Sequence, residues 1–460
     1  MNKRSAGFLA SILVIMVLYC VPLPVFSVPA QRCLALTVGA VILWVFEVIP
    51  SGMTALGLTL GYLLLVDPGN ITVADVYKFW TMPMAYLVLG GFIIGAAVRE
   101  SGLGRRISLL FISRFVHTYD HIIISCYVLS YLLAVLIPQA LPRAFLLLSI
   151  MKMITEDTGL EKKYIAQISL AIFAAQSAAG MMFMTGEGSI NTVILSLLPP
   201  EVPITWLRWL LWLSVPALFT GVARCFIQLR FFGRPDLKLD GAAARQALEA
   251  MGPLSKKEKR VLFWLVTAVV LWGTGDLHGI NVGWVTVAVV FAMSLPLVGD
   301  VVNVNSFKDV SLNVMLFIMA TTAIGAVGEK SGMSQALSTL LLPESIGGVL
   351  TFMLLAITSC MVLHLCVGGV MSVFVLITPA TIHLADSIGL PPFVAVFTVY
   401  LITYGQWFFP YQNLSMALCI SDSESAANSR LITKFSCIAT IPAILSVFLA
   451  YGWWKILGLY

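Results

Sequence analysis

Stretches of about 20 apolar residues follow one another along almost the whole chain, each long enough to cross a bilayer as a helix. Roughly eleven to thirteen can be drawn. In hydrocarbon, every backbone N–H and C=O must be satisfied inside the protein, which leaves helices or a closed barrel. Continuous apolar runs of this length select the helix. The expected fold class is therefore an all-α membrane protein, multi-pass and built around one integrated core. Composition agrees: 59% of the 460 residues are apolar and 11% are charged. The net charge of +5 comes from loop lysines and arginines, which set orientation, so no nucleic-acid partner is expected. Eight cysteines fit neither a disulfide framework nor a zinc site, and no cofactor is expected beyond Na+ or H+ as a coupling ion.

One apolar run, Ile122 to Met153, is broken by Pro138-Gln139-Ala140-Leu141-Pro142-Arg143. An arginine at the centre of a span costs about 2.5–3.5 kcal/mol even on lenient insertion scales. Broken backbone at that depth is tolerated only where protein buries it or where it lines a cavity. This stretch is the first candidate site. The run is flanked by basic segments, so it is expected to enter and leave on one side as a re-entrant hairpin with its tip near Pro138–Arg143, the alternative being two ordinary full spans joined by a tight outer turn. A second break, Thr185-Gly186-Glu187-Gly188-Ser189-Ile190-Asn191, interrupts the span that starts at Tyr164.

Orientation follows from charge. Asn2-Lys3-Arg4 keeps the N-terminus cytoplasmic. Arg230 to Arg260 carries eight Lys/Arg against four Asp/Glu and is a cytoplasmic loop. Arg99 to Arg114 alternates basic and apolar residues at helical spacing, as an interfacial helix does, with its arginines expected along a solvated, lipid-facing stripe.

The second half restates the first. Gly95-Ala96-Ala97-Val98-Arg99-Glu100-Ser101-Gly102-Leu103 matches Gly325-Ala326-Val327-Gly328-Glu329-Lys330-Ser331-Gly332-Met333, a shift of 325 − 95 = 230 residues. The same shift pairs Lys78 with Lys308 and Gly159-Leu160 with Gly389-Leu390. The copy has its own broken run, Val349–Ala385, interrupted near His364 and Gly368-Gly369, and its own later break at Phe409-Pro410-Tyr411-Gln412-Asn413. Counting spans puts Glu100 inside and Lys330 outside, so the repeats are expected to be inverted. Inverted repeats with paired broken segments point to a secondary transporter with its site at the midplane.

Several segments resemble the divalent anion/sodium symporter (dicarboxylate transporter) family of the ion-transporter superfamily. Trp44-Val45-Phe46-Glu47-Val48-Ile49-Pro50 is similar to that family's W-x-T-E-x-x-P corner. Leu89-Gly90-Gly91-Phe92 leading to Ser101-Gly102-Leu103-Gly104-Arg105-Arg106-Ile107, and Met251-Gly252-Pro253-Leu254-Ser255 leading to Glu258-Lys259-Arg260-Val261, are similar to two further family segments. The resemblance implies about 11 transmembrane helices plus two re-entrant hairpins, and a homodimer of elevator type in the cell (inner) membrane. It implies scaffold helices over 1–100, an arm helix over 101–121 and a first transport half over 122–200. Scaffold helices follow over 201–330 with a cytoplasmic loop at 233–260. A second arm over 331–346, a second transport half over 347–422 and a C-terminal helix over 423–460 complete it. Where the family carries Ser-Asn-Thr at both tips, this chain has Pro138-Gln139-Ala140 and Gly368-Gly369-Val370. The later Thr-Pro-Pro-Asn turns become Gly188-Ser189-Ile190-Asn191 and Pro410-Tyr411-Gln412-Asn413. These departures remove side-chain oxygens that serve sodium and argue against sodium coupling.

The substrate-binding candidates are Gln139, Arg143, Ser189, Asn191, Gly368, Gly369, Gln412 and Asn413. Arg143 is expected either to grip an anion bidentately or to serve carbonyl ends at the break. Gly186, Glu187 and His364 are coupling-ion candidates. Glu187 pairs with Arg143 or carries a proton, and His364 shuttles protons or packs. Glu47 is a structural corner. The leading function is secondary transport of a small anion, a dicarboxylate by resemblance. Proton-coupled or exchange transport of a monocarboxylate, sulfonate or sulfate is the alternative, and an anion channel or transport-dead sensor is the reading of another class. An enzyme is not expected, since the spans carry no paired aspartates, Ser/His pair or His-Glu-x-x-His.

Overall fold

A computed structural model describes residues 3–46, 48–199, 202, 204–239, 241–334, 336, 347–367, 369–409, 412–421 and 425–460. Glu47, Gly368, Pro410, Tyr411 and most of the expected second arm lie outside the described residues. Among the described residues there are helices and no strands.

The first half runs through α1 (Lys3–Cys20), α2 (Val28–Val45), α3 (Ser51–Gly61), α4 (Pro83–Ser101) and α5 (Leu103–Phe115). It continues with α6 (Tyr119–Leu136), α7 (Ala140–Thr155), α8 (Lys162–Met182), α9 (Gly188–Ser196) and α10 (Trp206–Phe231). Helix α11 (Ala242–Ala250) lies in the polar loop. The second half comprises α12 (Lys256–Gly273), α13 (Val282–Ser294), α14 (Leu312–Lys330), α15 (Val349–Val367), α16 (Val370–Asp386), α17 (Pro392–Gly405), α18 (Leu414–Ser421) and α19 (Ser429–Ile456). By length and composition α4, α6, α8, α10, α14 and α19 are long and apolar enough to cross a membrane, and α1–α3, α13 and α15–α17 are shorter apolar helices.

The shift of 230 reappears in the helix boundaries. Tyr119, Ala140 and Lys162 begin α6, α7 and α8, while Val349, Val370 and Pro392 begin α15, α16 and α17. Gly102 and Gly332 both close a helix in the left-handed region, at φ 79° and 80°. There a side chain would crowd the backbone, so glycine is required. Gly159 and Gly389 do the same at φ 65° and 72°.

The hairpin differs in detail from its expected outline. Its turn is Ile137–Gln139, and Ala140 already opens α7. Pro142 and Arg143 therefore belong to the first turn of a helix. Proline is tolerated there because the N–H it lacks has no intrahelical partner at that position. The arm helix α5 also departs from a free stripe. Arg106 Nε donates to Glu258 Oε1 at 2.5 Å and Nη1 to the Gly252 carbonyl at 2.7 Å. Burial of this pair turns a lipid-facing expectation into a bracket between the arm and α12.

Buried apolar side chains form two clusters. One joins α5–α7 to the first part of α8, the last turns of α10 and the start of α19. The other joins α2–α4, α12–α17 and the remaining halves of α10 and α19. On α8, Ala174 and Ala175 belong to the first cluster and Ala178 to the second. Gln176 and Ser177 fall in the seam between them, and both are buried.

Candidate functional site

The seam is where both helix breaks meet. Apart from Gln176, helix α8 carries only small residues from Ala174 to Gly180, which lets neighbouring backbones approach closely. On α10, the Tyr131 hydroxyl reaches the Ala217 carbonyl at 2.7 Å beside Gly221. Helix α8 then stops at Met182, and its terminal carbonyls need partners. Asn191 Nδ2 donates to Gly180, Phe183 and Met184 at 2.9, 2.9 and 3.2 Å, and Trp209 Nε1 donates to Met181 at 3.0 Å. Asn191 Oδ1 accepts from the Tyr400 hydroxyl at 2.5 Å. Asn191 thus caps the broken helix, with both its amide atoms engaged.

Three bonds lock the hairpin turn onto this break. The Gly188 N–H donates to the Pro138 carbonyl at 3.0 Å. The Ala140 N–H, at the positive end of α7, donates to Glu187 Oε2 at 2.6 Å. Arg143 Nη1 donates to the Gly186 carbonyl at 2.5 Å and to the Ile137 carbonyl at 2.6 Å. Arg143 is fully buried, and its Nε donates to Gln176 Oε1 at 3.0 Å. Gln176 is itself fixed, donating to Ser130 Oγ at 2.9 Å and to the Ile172 carbonyl at 3.0 Å. Ser189 donates to Glu187 Oε1 at 3.2 Å. Among the described residues no hydrogen bond joins Arg143 to Glu187: each side chain bonds to backbone beside the other, and to Gln176 and Ser189 respectively. Of the three guanidinium nitrogens of Arg143, Nη2 is the one without a hydrogen-bond partner among the described residues.

Gln139 precedes α7 without capping it, with Nε2 beside Gly188. Gly186 is wedged against the carbonyls of Ala179, Gly180 and Phe183, so close that a Cβ would lie 3.0–3.2 Å from each. That contact explains a glycine there without invoking an ion.

Among the described residues the second break shows fewer internal bonds. His364 Nε2 on α15 donates to the Gln412 carbonyl at 3.0 Å. Gln412 Oε1 accepts from the Phe408 and Phe409 N–H groups at 2.8 and 2.9 Å. Asn413 Oδ1 accepts from the Ser415 N–H at 2.9 Å as a helix cap. Gly369 precedes α16 and is exposed. His364 Nδ1, Gln412 Nε2, both side-chain polar atoms of Gln406 and Trp407 Nε1 are buried without partners among the described residues.

Sequence reasoning missed Arg224. It is fully buried on α10 and bridges the two halves. Its Nη1 donates to Ser177 Oγ at 2.6 Å and to the Ala174 carbonyl at 3.2 Å. Its Nη2 donates to the Gly405 carbonyl at the end of α17. Its Cζ sits 4.4 Å from the centre of the Trp407 ring. The signal was available, since Arg224 is an ionisable residue within an apolar run. Gln176 was also legible, as the repeat mate of Gln406 at 176 + 230.

A model of the sodium:sulfate symporter transmembrane region matches residues 2–460. This chain belongs to the sodium:sulfate symporter family. Membership makes it a multi-pass membrane protein of a transporter family, not an enzyme. Among relatives, it is 25% identical over 314 residues to a membrane protein of Cupriavidus necator, covering 64% of this chain and 61% of that protein. It is 24% identical over 407 residues to the chloroplastic dicarboxylate transporter 1 of Spinacia oleracea, covering 84% of this chain and 70% of the relative. The symporter-family chain thus spans about three fifths of the length of the C. necator protein. In fold it is similar to the YdaH transporter of Alcanivorax borkumensis, with a TM-score of 0.52 at 12% identity over 84% of this chain and 88% of that one.

Proposed function

We propose that this symporter-family chain is a secondary active transporter that moves a small anion across a membrane by alternating access. The observation that carries the reading is the Arg143 guanidinium. It is fully buried where the hairpin turn meets the broken helix, and its Nη2 has no acceptor among the described residues. A buried N–H group requires an acceptor, and a planar guanidinium favours carboxylate, sulfonate or sulfate oxygens. Gln406 Nε2, Gln412 Nε2 and Trp407 Nε1 add buried donors from the second break. The naming of the spinach relative makes a dicarboxylate the first substrate to test.

The movement is a rigid-body elevator. Pro138 at the hairpin turn rests on Gly91 and Gly95 of α4, where added Cβ atoms would lie 3.5 and 3.4 Å from its ring. Small residues on one side and a proline on the other make a contact with little interlock, suited to sliding. On this reading α2–α4 and α12–α14 form the scaffold, and the hairpins and broken helices move. The two halves are inverted, the unit is a homodimer in the inner membrane, and the N-terminus is cytoplasmic.

The test is uptake and counterflow of labelled succinate, malate and sulfate by proteoliposomes. Saturable uptake with counterflow is expected from a carrier. Arg143→Ala is expected to abolish it while the protein stays monodisperse, and Arg143→Lys to keep the charge yet transport poorly. Normal uptake by Arg143→Ala overturns the site assignment.

A further inference from the structure

We infer that Arg143 and Arg224 occupy the places of coupling cations, so that transport by this chain does not require sodium. The inference rests on the anion-transport reading and concerns how the same site is charged.

Where helices break at membrane depth, freed carbonyls and helix C-terminal ends are what coordinate a sodium ion in a secondary transporter. Among the described residues, several of those oxygens are taken by guanidinium groups. At the first break, the carbonyls of Ile137 and Gly186 and the amide oxygen of Gln176 all accept from Arg143. At the second, the Gly405 carbonyl ends α17 and accepts from Arg224, together with the Ala174 carbonyl and Ser177 Oγ. Each guanidinium therefore sits in a shell of three neutral oxygens. Neither is bonded to a carboxylate among the described residues. A buried arginine ordinarily pairs with an acid. One whose hydrogen bonds all go to neutral oxygens is held as a bound metal ion would be, and at Arg143 the Glu187 carboxylate lies in the same cluster without bonding to it. Adjacent residues on α8, Gln176 and Ser177, supply one oxygen to each.

The two arginines are not repeat mates: 143 + 230 is Val373 and 224 + 230 is Trp454. Positive charge has been supplied to the two breaks from different helices, so it is the location and not the repeat that they share. Sodium does not fit this arrangement. It would have to bind the same carbonyls beside a permanent positive charge, and the nearby Glu187 and Ser189 oxygens are already engaged with the Ala140 N–H and with each other.

The experiment uses the full chain, purified and reconstituted. Initial uptake rates of the transported anion are compared in sodium, potassium and choline, and melting temperatures are measured in the same three salts. Equal rates and equal melting temperatures are expected. A sodium-specific rise in either overturns the inference. Arg143→Ser and Arg224→Ser give a second readout independent of transport. Each should melt below wild type and regain stability selectively with millimolar guanidinium or sodium, relative to choline. A variant that folds but responds to neither cation counts against the inference. The two readings fail separately. If no anion is taken up while the variants are rescued by cations, the transport reading falls alone. If anion uptake depends on sodium, this inference falls alone.

Discussion

Arg143 and Glu187 lie in one polar cluster without bonding to each other, and each bonds to backbone beside the other. Arg143 Nη1 donates to the carbonyl of Gly186, and Glu187 Oε2 accepts from the N–H of Ala140, in the first turn of the helix that carries Arg143. The cluster is a cross-brace between hairpin turn and helix break. It fixes the turn while leaving Nη2 of the arginine uncommitted.

Replacing Glu187 separates its architectural role from its charge. In Glu187→Gln, the amide oxygen can still accept from Ala140 and the amide nitrogen can donate to Ser189 Oγ, so near-wild-type melting is expected. Glu187→Ala leaves the Ala140 N–H buried without an acceptor, which costs about 1–3 kcal/mol. Thermal melting in detergent orders the two. If Glu187 carries a coupling proton, Glu187→Gln also flattens the pH profile of uptake, and an unchanged profile removes it from that role.

Asn191 is a cap, so its variants should change stability first. Asn191→Ala strips donors from the carbonyls of Gly180, Phe183 and Met184 and should cost about 1–3 kcal/mol. Asn191→Asp should be worse, because it turns a carboxylate oxygen toward those carbonyls while keeping the Tyr400 acceptor. Equal melting of the two variants would contradict the capping assignment.

The bracket between α5 and α12 is nearly enclosed, with 13% of the Arg106 side chain and 3% of the Glu258 side chain exposed. The Arg106 guanidinium holds the Glu258 carboxyl below the usual carboxylate range. Arg106→Ala leaves that carboxylate nearly enclosed, with the Ser255 N–H as a remaining donor, and should destabilise by about 3 kcal/mol. Limited proteolysis at 233–260 should accelerate in parallel with the drop in melting temperature.

Asp75 and Lys330 tie the loop before α4 to the end of α14 at 2.8 Å. The Lys330 ammonium, then the Thr72 hydroxyl, lowers the Asp75 carboxyl from 3.8 to about 2. A lowered folded-state value means that the contribution is complete above 3.8 and disappears as pH falls through about 2. Asp75→Asn should therefore melt below wild type at neutral pH, and the two curves should converge near the bottom of that window. A constant gap down to pH 2 would show that the ion pair is not what Asp75 contributes. The carboxylate is partly solvated, so the effect should be small and weakened by salt.

Some of this protein was legible in one dimension because its signals are local or periodic. Apolar runs announce membrane helices, and a proline-arginine interruption announces a site, since lipid penalises both. The shift of 230 residues marked helix starts that the fold reproduces at Tyr119 and Val349, Ala140 and Val370, Lys162 and Pro392. Even the left-handed glycines Gly159 and Gly389 stood in register, since a residue without Cβ is needed wherever the chain turns that way. Arg224 carried the same charge signal as Arg143, but it sits in the unbroken α10, so nothing local drew attention to it.

Partnership was decided only in three dimensions. Arg143 is held by Gln176, and Arg224 joins Ala174 and Ser177 to Gly405, 181 residues away in sequence. Asn191 is consumed by the helix end that it caps. A hydrogen bond is satisfied by whichever group packing brings within reach, and buried groups accept the nearest partner that spares them desolvation. The sequence by itself determined where charge and broken backbone must be hidden from lipid. The tertiary structure decided which oxygens hide them, and so which side chains remain for a ligand.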